Sequence, residues 1–307
     1  MDDENQSLWF SETCEKNADF HFFIDSQIID VIQEYTYLGT RMSSSGNFSL
    51  SREHLKEKAL HTLIGLRRHM NPSKLKAALA CEIFDTTISP ILTYNSEICG
   101  VYFKPHFKTS YGSQIERAHL QFCKRYLEVN NKASNIACRA ELGRFPLNIA
   151  INQKIILKYI LHIQSKDNET LVKQVFLMSF DLHCNGKNSF HSHLMNMSEY
   201  FQLPDFNPDL LVIAMVKSYV SPMKQEYISY WQNNLQHSPK LEFYRSFKTE
   251  HTSSSYLDLT KGAAGSGRRA LVKLRISNHK LMVPIGRYNQ TTKDIYRHCP
   301  FCGCNEI

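Results

Sequence analysis

Ser49-Leu50-Ser51-Arg52-Glu53-His54-Leu55-Lys56-Glu57-Lys58-Ala59-Leu60-His61-Thr62-Leu63-Ile64-Gly65-Leu66-Arg67-Arg68-His69-Met70 is where the period of the chain changes. Leu50, Leu55, Ala59, Leu63, Leu66 and Met70 recur at helical spacing, so one apolar stripe runs along an amphipathic helix. Ser49 or Ser51 is the expected N-cap, and Asn71-Pro72 the expected stop. Upstream the period is two: Phe20–Ile24, Ile28–Ile32 and Tyr35–Gly39 read as short strands rich in β-branched and aromatic residues. Downstream the helical spacing returns. Ser73 is the expected cap of the next helix, with Leu75, Leu79, Ile83, Thr87 and Ile91 as its stripe and Pro90 as its kink or end. Ile115, His119, Phe122, Cys123 and Tyr126 form a third stripe, backed by Glu116, Arg117, Lys124, Arg125 and Glu128 as a polar side. Helical period continues through 147–182, 191–201 and 208–236, with breaks expected at Pro204, Pro208 and Pro222 and a flexible linker at Gly262–Gly267. The expected fold is therefore mainly α with a small N-terminal antiparallel β element. Its segments are a loosely ordered tail (1–18), a β element (19–48), a helical bundle (49–146), a helical connector (147–260) and a basic segment (261–307).

The chain has 307 residues with 42% hydrophobic and 11% aromatic content, enough for a folded core. No apolar run approaches the roughly 20 residues that cross a bilayer, and Met1–Asn5 lacks the pattern of a secretory signal. Nine cysteines without framework spacing read as reduced thiols, hence an intracellular protein, cytoplasmic or nuclear. The net charge of +7 is unevenly spread: residues 1–50 carry nine acids against Lys16 and Arg41, whereas residues 261–297 carry nine bases against Asp294. Such a basic stretch suits a polyanion or a solvated helix face.

Catalytic constellations are not visible. Gly262-x-x-Gly265-x-Gly267 lacks both the preceding strand and the Lys-Ser/Thr of a phosphate-binding loop, and no zincin, serine-hydrolase or kinase motif is present. The acidic pair Asp2-Asp3 sits at a terminus with no strand beside it. At the other end Cys299-Pro300-Phe301-Cys302-Gly303-Cys304 supplies half of a zinc site, which suggests a piece of something longer. Two readings of Cys299 and Cys302 stay open: a zinc knuckle bracing the tail, or thiols that bind metal weakly or oxidise. No other cofactor is required.

Three ordered landmarks resemble one family. Tyr37-Leu38-Gly39-Thr40-Arg41-Met42-Ser43-Ser44-Ser45-Gly46-Asn47-Phe48, followed by Lys56-Glu57-Lys58-Ala59, resembles the palm–thumb junction of reverse transcriptases from non-LTR retrotransposons. Ser89-Pro90-Ile91-Leu92-Thr93-Tyr94-Asn95-Ser96-Glu97-Ile98-Cys99 looks like that family's P-x-L-x-Y-G-x-E-x-W signature, with Asn95 where Gly is usual and Cys99 where Trp is usual. Leu271–Leu281 with Gly286-Arg287-Tyr288 is similar to the family's C-terminal region, which leads into a Cys-Pro-x-Cys knuckle completed by a later His and Cys; Val283-Pro284-Ile285 departs from it.

The resemblance covers the chain from about residue 20 onward. It implies a palm end at 19–48, a thumb-like bundle at 49–146 and RNA or DNA backbone as partner, with no membrane and no small-molecule substrate. The family is an RNA-directed DNA polymerase, but its paired catalytic aspartates, and the Mg²⁺ they hold, belong to a palm motif that this sequence lacks. The expected function is therefore nucleic-acid binding without polymerisation; the alternative is a decayed remnant with only a helical fold. Thumbs grip template–primer through phosphates. The residues expected to do so are Arg52, Lys56, Lys58, Arg67 and Arg68 on the first helix, and Arg268, Arg269, Lys273, Arg275 and Lys280 near the end. On a helix Arg268, Val272, Arg275 and His279 would share one face.

Overall fold

The N-terminal strands pair in two small sheets. The computed structural model describes residues 6–8, 22–24, 27–44, 48–69, 74–99, 107, 113–203, 219–258 and 263–278. β1 (Gln6–Leu8) and β2 (Phe22–Ile24) flank β3 (Gln27–Ile32), parallel on one side and antiparallel on the other. β4 (Glu34–Tyr37) pairs antiparallel with β5 (Thr40–Ser43), Tyr37 opposite Thr40. Two of these strands were not anticipated: β1 lies in the expected tail, and β5 follows directly on the third expected strand. Leu38 and Gly39 join β4 to β5 with φ of 46° and 79°. Two successive positive φ values make the tight primed turn whose twist matches paired strands.

Mainly helical structure follows, as the period indicated. α1 (Ser49–His69) buries Ser51, Leu55, Ala59 and Leu63, four positions one turn apart. It starts earlier than either expected cap, because the Phe48 carbonyl already accepts from Arg52 N at 3.0 Å. α2 (Ala77–Ile83), a π-helical segment (Phe84–Ile88) and α3 (Ser89–Leu92) form one run, followed by α4 (Ser96–Cys99). The buried stripe of this run is Ala77, Ala80, Phe84, Ile88 and Leu92, not the expected 75/79/83/87/91 row, and Leu79 is exposed. Pro90 does not end the run. The widened π turn precedes it, and Pro90 stands in the first turn of α3, where no N–H is needed.

α5 (Gln114–Tyr126), α6 (Asn135–Glu141), α7 (Leu147–Lys154), a second π segment (Ile155–Ile160) and α8 (Leu161–Gln164) continue the chain. α9 (Leu171–Cys184), α10 (Phe190–Phe201), α11 (Val220–Gln236), α12 (Glu242–Arg245) and α13 (Ala263–Arg275) complete it. Pro222 does not break α11, because it lies in that helix's first turn. Gly265 and Gly267, read as linker, lie in the first turns of α13. Among the described residues, no helix is long and apolar enough to cross a membrane.

By contact density the chain divides into two units, each drawn from three stretches: Met1–Ile64, Thr86–Ala118 and Pro146–Lys224, and Gly65–Asp85, His119–Phe145 and Gln225–Ile307. Residues of the expected 49–146 bundle contribute to both. In the first unit the α9–α10 hairpin is closed by a capping box, Ser189 with Ser192, and Ser189 Oγ donates to Ser179 O at 2.7 Å. Glu116, expected on the polar side of α5, is fully buried and accepts from Asn148 N at 2.9 Å.

In the second unit, Phe84 stacks on Phe122 at 4.4 Å, and Arg144 forks onto Asp85 at 2.6 and 2.5 Å. Trp231, Tyr227 and Tyr244 are fully buried. The N-terminus of α2 has Lys76 at its cap position, and its Ala77 N–H is satisfied instead by the Asp258 carboxylate at 3.2 Å. Gly143 (φ 62°) lies beside the isolated bridge Leu142–Ser253, and a Cβ there would lie 2.7 Å from Ser253 N. Only glycine fits both demands.

Candidate nucleic-acid interface

The buried seam of α1 fixes what its other side presents. With Ser51, Leu55, Ala59 and Leu63 inward, Lys58, His61, Arg67, Arg68 and His69 are exposed. Arg67, Arg68 and His69 occupy the last turn, where the carbonyl end of the helix dipole favours cations. Among the described residues, no ion pair involves Lys58, Arg67 or Arg68. Lys56 differs: it pairs with Glu53 and donates to Gln114 Oε1 at 3.2 Å, so its ammonium is held by the protein. Arg52 is half-buried and close enough to Cys99 to act on its thiol. Burial pushes that thiol up to about 11, opposed by a hydrogen bond from Ser51 and by the Arg52 charge. Three of the five expected α1 cations therefore face outward.

α13 is oriented the other way from its expected role. Arg268 is 7% exposed, Val272 1% and Ile276 0%, so the proposed phosphate face is the core face. Arg268 donates to the carbonyls of Leu257 at 3.2 Å and Leu75 at 3.4 Å, and lies over the Tyr126 ring at 5.5 Å. Arg275 donates through Nε and Nη2 to Glu141 Oε1 at 3.2 and 3.0 Å, and stacks on Phe247 at 4.1 Å and Tyr256 at 4.9 Å. The Tyr256 hydroxyl donates to the other Glu141 oxygen. Arg268 and Arg275 thus tie the helix to its own unit. Val272 and Ile276, apolar and one turn apart on the same side, were the signal for this. Arg269 is exposed but paired with Glu128, and Lys273 is half-buried. Lys280, His279, Cys299 and Cys302 lie outside the described residues.

Near the β4–β5 turn a second set of groups converges. The Tyr94 hydroxyl donates to Leu38 O at 2.7 Å and Asn95 Nδ2 to Thr40 Oγ1 at 2.5 Å, clasping the turn from the loop after α3. Asn95 has a φ of 48°, and Tyr37 and Tyr94 are 57% and 44% exposed.

Three lysines of the second unit, none among the expected phosphate contacts, also gather. Lys124 Nζ donates to Asn131 O at 2.7 Å, and Lys240 Nζ donates to the next carbonyl, Lys132 O, at 3.1 Å. Lys132 itself is exposed. Burial lowers the affinity of Lys124 for its proton; the nearby thiols Cys138 and Cys123 oppose this, and the charges of Lys240 and Arg139 add to it. Residues 116 positions apart in sequence give no local pattern, so only the fold reveals this group.

Among the described residues, no group of three or more His, Cys, Asp or Glu is arranged to hold a metal ion. Comparison with family models, with curated proteins and with solved structures finds no match to this chain. The class that sequence and structure define is a mainly α protein with a small N-terminal β element.

Proposed function

We propose that this chain binds the phosphate backbone of RNA or DNA, as the palm-end, thumb and C-terminal portion of a non-LTR-type reverse transcriptase, and does not polymerise alone. The observation that carries the reading is the outward, unpaired set Lys58, Arg67 and Arg68 on the helix that directly follows the Tyr37-Leu38-Gly39 hairpin. Asn95 adds support. The resemblance has Gly at that position, and here the backbone is left-handed, which Asn tolerates better than most residues. Backbone binding needs solvent-facing cations that can reach phosphates, and these three side chains face solvent.

The test is fluorescence anisotropy of a labelled RNA, and of an RNA–DNA duplex, between about 50 and 200 mM salt. The dissociation constant should rise steeply with salt. In the double variant Lys58→Gln/Arg68→Gln the log–log slope should fall by roughly 1.4 to 1.8, at about 0.7 to 0.9 per lost contact. Binding that is absent, or indifferent to salt, overturns the proposal. Templated primer extension by this chain with Mg²⁺ would overturn its non-polymerising part.

A further inference from the structure

We infer that Lys124, Lys132 and Lys240 form a second phosphate-contact surface for a nucleic-acid backbone. The inference rests on the nucleic-acid reading above and extends it to residues in another part of the chain. Two ammonium groups, from α5 and from the 3₁₀ turn Pro239–Leu241, are anchored on the carbonyls of consecutive residues, 131 and 132. Neighbouring Cα atoms are about 3.8 Å apart, so the two charges are held within about 10 Å of each other. The side chain of Lys132 departs from the same short stretch.

A purely structural role explains one anchored lysine well: its ammonium satisfies a loop carbonyl. It does not explain why three like charges gather where, among the described residues, no carboxylate pairs with any of them. Arg139, fully buried, is near enough for its charge to act on Lys124, in the direction that repulsion requires. Each ammonium has three donors, and the two anchored ones show one carbonyl contact apiece. Pre-positioned cations of this kind suit a ligand with successive negative charges. Phosphodiesters fit better than a single carboxylate, because the charges are spread along a surface rather than convergent on one point.

Binding of the same labelled RNA should be measured against salt for the wild-type chain, Lys132→Glu and Lys124→Gln/Lys240→Gln. Lys132→Glu is the cleaner probe, since its side chain is exposed and its loss removes no anchoring bond. The double variant should reduce the log–log slope by roughly 1.4 to 1.8, and Lys132→Glu should weaken binding several-fold at low salt with little effect at high salt. Combination with Lys58→Gln/Arg68→Gln should reduce the slope further. Unchanged slopes in both lysine variants, while the α1 variant still loses its share, overturn this inference and leave the proposed function standing. Absence of binding in the wild type overturns both. Thermal melts of each variant separate unfolding from lost contacts, because a folded variant with an unchanged slope assigns the lysines to structure alone.

Discussion

Glu141 is fully buried, and everything about its surroundings follows from the need to keep a carboxylate there. Arg275 supplies two donors, Tyr256 a third, and Ser254 N binds the Glu141 carbonyl at 2.9 Å. Burial and the same carboxylate push the hydroxyls of Tyr244 and Tyr256 up, so both phenols stay protonated and able to donate. A buried ion pair adds little net stability when intact, but losing one partner leaves an uncompensated charge. Arg275→Met should therefore cost about 3 to 5 kcal/mol in urea unfolding, and Glu141→Gln in the same chain should recover part of that loss. The same Arg275→Met variant, if still folded, should leave the salt slope of RNA binding unchanged. A drop of nearly one in that slope would instead mean that Arg275 reaches phosphate.

At the scale of the element, the spacing of apolar residues revealed which segments are helices far better than which way they face. α1 was legible because its seam of Leu55, Ala59 and Leu63 is uninterrupted. The 77–92 run was misread by about one position because its buried row starts on the small residues Ala77 and Ala80, which a count of large apolar side chains passes over in favour of Leu75 and Leu79. α13 was misread because arginine is amphipathic: its stem packs inward while its head finds carbonyls and a carboxylate elsewhere in the chain. Glu116 and Lys240 escaped the sequence for another reason, since their partners Asn148 and Lys132 lie 32 and 108 residues away.

The α9–α10 hairpin offers an element-scale test. Its connection is short and polar, and Ser189 both caps α10 and binds back to Ser179. Ser189→Ala should cost about 1 kcal/mol. The loss should appear in hydrogen exchange as reduced protection of the first turn of α10, with the second unit unaffected.

For the whole molecule, acid is the informative perturbation, because each unit contains a histidine that burial holds neutral. In the first, His193 is lowered to about 4 by burial. In the second, His251 is lowered to about 4, first by burial and then by the charge of Lys248. It is enclosed by Phe145 at 4.8 Å, Tyr227 at 5.3 Å and Trp231 at 5.4 Å. A depressed folded pKa means the unfolded chain takes up the proton first. Stability is thus complete above about pH 6.5 and is lost as pH falls toward 4, by up to roughly 3 kcal/mol per histidine. Urea midpoints at neutral and mildly acidic pH should show this fall. His251→Phe should remove about half of the histidine share of it. An unchanged pH dependence in that variant would mean that His251 binds its proton equally well in the folded and unfolded chain.

The Glu141–Arg275 pair also sets a schedule for synthesis. Its members are 134 residues apart. At ribosomal rates of about 5 to 20 residues per second, α6 leaves the ribosome on the order of 7 to 27 s before the guanidinium that completes its burial. Until then the nascent second unit must keep that carboxylate in water, and the apolar rings around it remain open to chaperones or to neighbouring chains.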